Sequence, residues 1–134
     1  MSTVPTAPDR LLTYDGGTML VRDGDGLPIA STQDALDLIG ATYGRADTVA
    51  VAAEVFADGF FTLGTGLAGE IMQKFVNYRL RFVVVGDVSA HLARSSALRA
   101  FVRESNRGRH IWFTADLDEL VRRLSGAQAA AGKE

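Results

Sequence analysis

Leu80-Arg81-Phe82-Val83-Val84-Val85 is the stretch that decides the fold. From Phe82 onward it has no polar alternation, so both faces are apolar, as in a strand buried in the middle of a parallel sheet. Thr48 to Ala53, upstream, reads as a second buried strand, and Arg109 to Phe113, downstream, as the last. The segments between them carry helical periodicity. Over Thr65 to Tyr78, Leu67, Ala68, Ile71, Met72, Phe75 and Val76 share one face while Glu70, Gln73, Lys74 and Asn77 share the other, with Glu70 one turn before Lys74 as a favourable ion pair. A helix over Ser95 to Asn106 buries Leu98, Phe101 and Val102, and Gly108 is placed to give it a left-handed stop. Thr114 is placed to cap a final helix with Asp116, Asp118 and Glu119 in its first turn and Leu117, Leu120, Val121 and Leu124 inside.

Toward the amino terminus, Leu11 to Tyr14 and Thr18 to Arg22 flank Asp15-Gly16-Gly17, which reads as a hairpin. Asp23-Gly24-Asp25-Gly26 is read as a plain turn, since it lacks the later ligands of a calcium loop. Ser31 and Asp34 form a variant capping box for a first helix ending at Gly44. The expected architecture is therefore a single α/β domain: an amino-terminal β-hairpin followed by αβαβαβα, in a mixed sheet with parallel core strands and packed helices. Crossovers between parallel strands are right-handed, so the last three strands are expected to be parallel. Ligands in such sheets gather beyond the strand carboxyl ends, an edge carrying Glu54, Asp58, Thr65, Asp87, Ser89 and Thr114.

The chain has 134 residues, 47% hydrophobic and 22% charged, which suits one ordinary core. Residues 1–9 read as a disordered lead-in, 10–124 as the domain and 125–134 as a flexible tail. With no cysteine and two histidines, disulfides, thiolate zinc sites and cysteine nucleophiles drop out, and neither a metal nor a cofactor is expected. Net charge is −2, divided as −6 over residues 1–60 and +4 over 61–134. The basic run Arg94, Arg99, Arg103, Arg107, Arg109 reads as a solvated helix face ahead of an anion- or partner-binding patch, and without interleaved aromatics it argues against nucleic acid. The longest apolar zone, Thr48 to Gly69, is too interrupted to span a bilayer, and no targeting segment is evident, so the expected location is cytoplasmic, with no membrane contact.

Gly64-Thr65-Gly66-Leu67-Ala68-Gly69 matches GxGxxG, with Asp87 placed about where a ribose-binding acid falls. A dinucleotide site is disfavoured, because Glu54 to Leu63 separates the turn from the preceding strand. On structural grounds alone, Gly66 and Gly69 let the helix approach the sheet while the Thr65 hydroxyl caps the Ala68 amide. A functional alternative makes this helix start an anion site, with Thr65 able to carry a phosphate. Glu70, Lys74, Asn77 and Asp87 could also be grouped as acid/base residues, but a helical Glu/Lys pair is more often a solvated contact, and no catalytic residues are assigned.

Phe60-Phe61-Thr62-Leu63-Gly64-Thr65-Gly66-Leu67-Ala68-Gly69-Glu70-Ile71, followed by Gln73-Lys74-Phe75-Val76-Asn77-Tyr78, Val85-Gly86-Asp87 and Glu104-Ser105-Asn106-Arg107-Gly108, closely resembles the bacterial domain-of-unknown-function family 4180. The resemblance runs over about Ser31 to Leu124 and implies relatedness without an activity. More distantly, the element order and the turn at Gly64 to Leu67 look like the STAS domains of anti-sigma factor antagonists, in which a phosphorylated serine opens the equivalent helix. That likeness would place Thr65 at the phosphorylated position, although Leu63 and Gly64 replace the aspartate and first serine of the pattern. The resulting expectation is a STAS-like, non-catalytic regulatory or protein-binding module, with Asp58, Gly64, Thr65, Gly66, Glu70, Lys74, Asn77, Asp87 and Ser89 as ligand- or partner-binding residues. The alternative is a small anionic ligand or nucleotide at the glycine-rich helix start, and a homodimer is compatible with either.

Overall fold

The computed structural model describes residues 8–132, with the side chains of Asp58 and of 127–132 outside that description. The described residues form five strands and five helices. β1 (Arg10–Tyr14) and β2 (Gly17–Arg22) make the hairpin, and α1 (Thr32–Thr42) leads to β3 (Thr48–Ala52). Three short 3₁₀ turns (Ala53–Val55, Asp58–Phe61, Leu63–Thr65) precede α2 (Leu67–Asn77) and β4 (Arg81–Val85). Two helices, α3 (Ser89–Arg94) and α4 (Ser96–Arg107), then lead to β5 (Ile111–Thr114) and α5 (Leu117–Gly132). The third crossover thus holds two helices where one was expected, because Ser95 breaks the run with an extended backbone and caps α4 through the Leu98 amide at 3.0 Å.

The sheet order is β1-β2-β3-β4-β5. β1 is antiparallel to β2, and β2 through β5 are all parallel, so the parallel core is one strand wider than expected. Strand residues alternate between two cores as period-2 geometry demands. Leu20, Val49, Val51, Phe82 and Val84 face α1, α2 and α4, while Met19, Val21, Ala50, Val83 and Trp112 face α5. Four helices, the short α3 among them through Leu92, therefore cover one face of the sheet and α5 the other. Phe56, Phe60 and Phe61 from the 3₁₀ segment join the larger core, Phe56 and Phe60 stacking at 4.0 Å.

Several local expectations need correction. Thr114 belongs to β5. The cap of α5 is Asp116, which accepts from the Glu119 amide at 2.8 Å while Glu119 accepts from the Ala115 amide at 3.1 Å, a reciprocal box built on the carboxylates. Gly108 ends α4 at φ −86°, not in the left-handed region. Asn106, read as the last residue of a helix, also ties α4 to its neighbours: its Oδ1 accepts from the Phe113 amide at 2.7 Å and its carbonyl accepts from Arg123. Asp9, placed in the lead-in, is held by the buried Arg22 guanidinium in a two-point contact of 2.8 Å each. Residues 1–7 and 133–134 of the terminal segments lie outside the described residues, and the backbone of 125–132 continues α5. No described helix is long and apolar enough to cross a membrane.

Candidate functional site

The expected site residues separate into two places. Gly66, Glu70 and Lys74 line a shallow groove of about 630 Å³ between α1 and α2, together with Thr32, Gly69 and Gln73. Asp87 and Ser89 line a second hollow of about 300 Å³ beyond the carboxyl ends of β4 and β5, with Gly86, Leu92, Phe113 and Thr114. Asn77 lies at the far end of α2, its Oδ1 accepting from Gln73 at 2.9 Å. Asp58 opens the second 3₁₀ turn, and its side chain is outside the described residues.

The glycine-rich turn is built differently from the expectation. Gly66 is the residue that caps α2, with φ +76°, a conformation that an L side chain resists, so here the glycine is required by the backbone. Thr65 stands outside the helix. Its hydroxyl faces the carbonyl oxygens of Gly59 and Thr62 at 2.8 and 2.9 Å and accepts from the Leu67 amide at 3.2 Å, not from Ala68. The hydroxyl pins the 3₁₀ segment to the start of α2. Gly69 does not bring the helix toward the sheet either, because a Cβ there would meet nothing within 4 Å, and the same is true of Gly64. These two glycines leave bare backbone on the outer surface.

Three consequences follow for the chemistry. The turn follows two 3₁₀ turns and overlaps a third, and so does not come directly after a strand, which removes the geometry that a dinucleotide fingerprint needs. Glu70 shares the groove at the helix start and sets a carboxylate against any anion drawn by the helix dipole. Glu70 and Lys74 do not pair with each other or with another described residue, contrary to the expected i to i+4 contact, so both charges face the groove.

At the strand carboxyl edge, Asp87 Oδ1 accepts from the Ser89 amide at 2.9 Å. Hydrogen bonds from Ser89 favour the charged form and hold the Asp87 carboxyl below its ordinary pKa. The carboxylate is thus a fixed negative group at the mouth of a largely apolar hollow, suited to an amine or hydroxyl and not to a phosphate. His91, on α3, stacks on Phe61 at 4.2 Å and so belongs to the packing of the aromatic cluster.

Sequence reasoning missed a third group of residues, at the opposite end of the strands. Tyr43 and Tyr78 are 90% and 59% exposed where α1 and α2 end. Beside them Arg79 adopts φ +59°, the left-handed region, without being glycine. The signal was present in the chain: Tyr78-Arg79 falls where a helix stop belongs, with no glycine to supply it and with Asn77 too early, inside the helix.

The architecture defines a single-sheet α/β domain whose candidate sites are open surface features. The chain belongs to the family described as Domain of unknown function (DUF4180), which matches residues 15–124. No curated protein and no solved structure matches it.

Proposed function

We propose that this chain is a non-catalytic, cytoplasmic binding module whose α1–α2 face receives a protein partner. The observation that carries the reading is the groove itself: open, shallow and lined by Thr32, Glu70, Gln73 and Lys74 around the bare backbone of Gly66 and Gly69. Small-molecule sites enclose most of their ligand, whereas an open groove with free charges of both signs suits a protein surface. The STAS-like regulatory reading is compatible with this and rests on the element order and the turn at Gly64 to Leu67. A photo-crosslinking residue in place of Gln73, expressed in the native host, should give a discrete adduct that Gly69→Trp abolishes without unfolding the domain. If the adduct pattern is the same with and without the tryptophan, the groove is not the contact surface.

The hollow at Asp87 favours a second reading, a small ligand with an apolar body and a cationic or hydroxyl group, in place of the anionic ligand at the helix start. A thermal-shift panel separates the two: amines and polyols should raise the melting temperature and Asp87→Asn should cancel the rise, while phosphorylated compounds should leave it unchanged.

A further inference from the structure

The amino ends of β3, β4 and β5 lie side by side, and the connections that enter them form one edge. Thr48 is in register with Arg81 and Phe82 with Ile111, while Arg81 binds the Asp47 carbonyl through its amide at 3.2 Å and the Arg109 carbonyl through Nε at 3.1 Å. Adjacent strands are about 4.8 Å apart, so three connections span about 10 Å. Besides Asp47, whose Oδ1 accepts from the Tyr14 hydroxyl at 2.6 Å and the Thr48 hydroxyl at 2.9 Å, the exposed side chains along them include Tyr43, Arg45, Tyr78, Arg79, Arg109 and His110. None of the three exposed arginines makes a side-chain hydrogen bond or ion pair with a described residue.

Arg79 gives this edge a feature that packing does not explain. It occupies the residue after the α2 cap in a left-handed helix stop, with the Leu80 amide on the Phe75 carbonyl at 3.0 Å and the Arg79 amide on the Val76 carbonyl at 3.0 Å. At the matching position after α1 the chain uses Gly44, at φ +70°. A left-handed L residue costs about 1–2 kcal/mol. The helix dipole attracts a cation near this end but does not require it at the one strained position.

We propose that this edge is a docking surface for an acidic protein segment, with Arg45, Arg79 and Arg109 meeting carboxylates and Tyr43 and Tyr78 packing on the apolar residues between them. Arginine and tyrosine are the residues that dominate protein contact energies. Length argues against nucleic acid: the three connections span about 10 Å, about three residues of extended chain, and Asp15 in the β1–β2 turn bounds them, so the edge fits a short segment whose carboxylates coincide with the three arginines and not a continuous line of phosphates. This surface lies at the opposite end of the strands from Asp87 and is separate from the α1–α2 groove, so it stands or falls independently of either site.

The test uses the full chain and a short fluorescein-labelled peptide alternating glutamate and leucine, followed by fluorescence anisotropy. Binding is expected at low salt and should vanish near 1 M salt, where screening acts over about 3 Å. A lysine-leucine peptide should not bind. Arg79→Gly and Arg109→Glu should each weaken binding about fivefold, a change of about 1 kcal/mol. Arg79→Gly should at the same time raise the melting temperature, which separates lost binding from lost folding. The proposal is overturned if the acidic peptide does not bind, if both variants bind it like the parent, or if single-stranded RNA of equal charge binds as tightly. A salt-sensitive oligomer of the protein alone in sedimentation would assign the edge to a second copy and overturn it as well.

Discussion

Replacing Thr65 distinguishes a donor from an acceptor. A threonine that caps a helix acts through its lone pairs, and aspartate substitutes for it without loss. In this structure the hydroxyl proton is directed to the Gly59 and Thr62 carbonyls at 2.8 and 2.9 Å, and only the weaker contact, from the Leu67 amide at 3.2 Å, uses Oγ1 as acceptor. One proton shared by two carbonyls counts as about one hydrogen bond, worth about 1 kcal/mol, and the exposed position lets water recover part of it. Thr65→Val should therefore cost about 1 kcal/mol, and Thr65→Ser should stay within about 0.5 kcal/mol of the parent. Thr65→Asp, which has no proton to give and sets its charge against two carbonyl oxygens, should cost about 1–2 kcal/mol despite being a favoured cap. Urea unfolding followed by far-ultraviolet circular dichroism measures all three, with a constant m value as the sign that the native state is otherwise unchanged. An aspartate variant as stable as the parent would refute the donor role, as would a serine variant falling as far as valine. The same geometry bears on a phosphate at Thr65. Esterification removes the proton and adds about −1.5 to −2 charges facing those carbonyls, so the modified chain should release the 3₁₀ segment instead of leaving the fold untouched.

Gly69→Ala should raise the melting temperature, because its Cβ meets nothing within 4 Å and alanine in a helix is favoured over glycine by about 0.5–1 kcal/mol; a fall would show that close packing has been overlooked. Phe60→Ala, at a ring 1% exposed and stacked on Phe56, should cost about 3–5 kcal/mol in chemical unfolding. Asp87 should titrate below an ordinary aspartate when its carboxyl carbon is followed by NMR. Since its folded pKa is the lowered one, its contribution to stability is present above the ordinary value and lost as pH falls through the folded one, and Asp87→Asn should remove that part of the acid dependence.

The strands and helices were legible wherever burial imposes a period. Phe82 to Val85 had to be central, and the capping box at Ser31 and Asp34 formed as written, with the Asp34 amide on Ser31 Oγ at 3.2 Å. What escaped the sequence was the way local polar groups choose among several partners within reach. Thr65 could bond forward to the helix or back to the loop, and the choice depended on three 3₁₀ turns that carry no period to read. Asp116 displaced Thr114 as a cap because Thr114 was taken up by pairing in β5. The groove was legible only in part: the helical wheel put Glu70, Gln73 and Lys74 on the outer face, but Thr32 joins them through the packing of α1 on α2, a contact between segments that no local pattern encodes. The exposed edge was less legible still, since Arg45, Arg79 and Arg109 are far apart in the chain and become neighbours only through the order of the strands.

That order also explains why the Asp87 hollow is where it is. In a doubly wound sheet a crevice opens where the loops leaving two adjacent strands run to opposite faces. Here the strands follow one another in sequence, and right-handed crossovers carry α1, α2 and α4 all to the same face, so the loops leaving β2 and β3 turn the same way and close over one another. Only after β5 does the chain pass to the other face, where α5 packs on Met19, Val83 and Trp112. The loops after β4 and β5 must therefore part, and the residues on either side of the parting are Gly86 to Ser89 and Phe113 to Ala115, the walls of the hollow. Gly86 takes φ +138° there, with a Cβ position only 3.3 Å from Ala53, so the backbone at the parting is held to a shape that few side chains permit. The cavity is thus a product of topology, and the Asp87 carboxylate, held by the Ser89 amide at 2.9 Å, stands at its mouth.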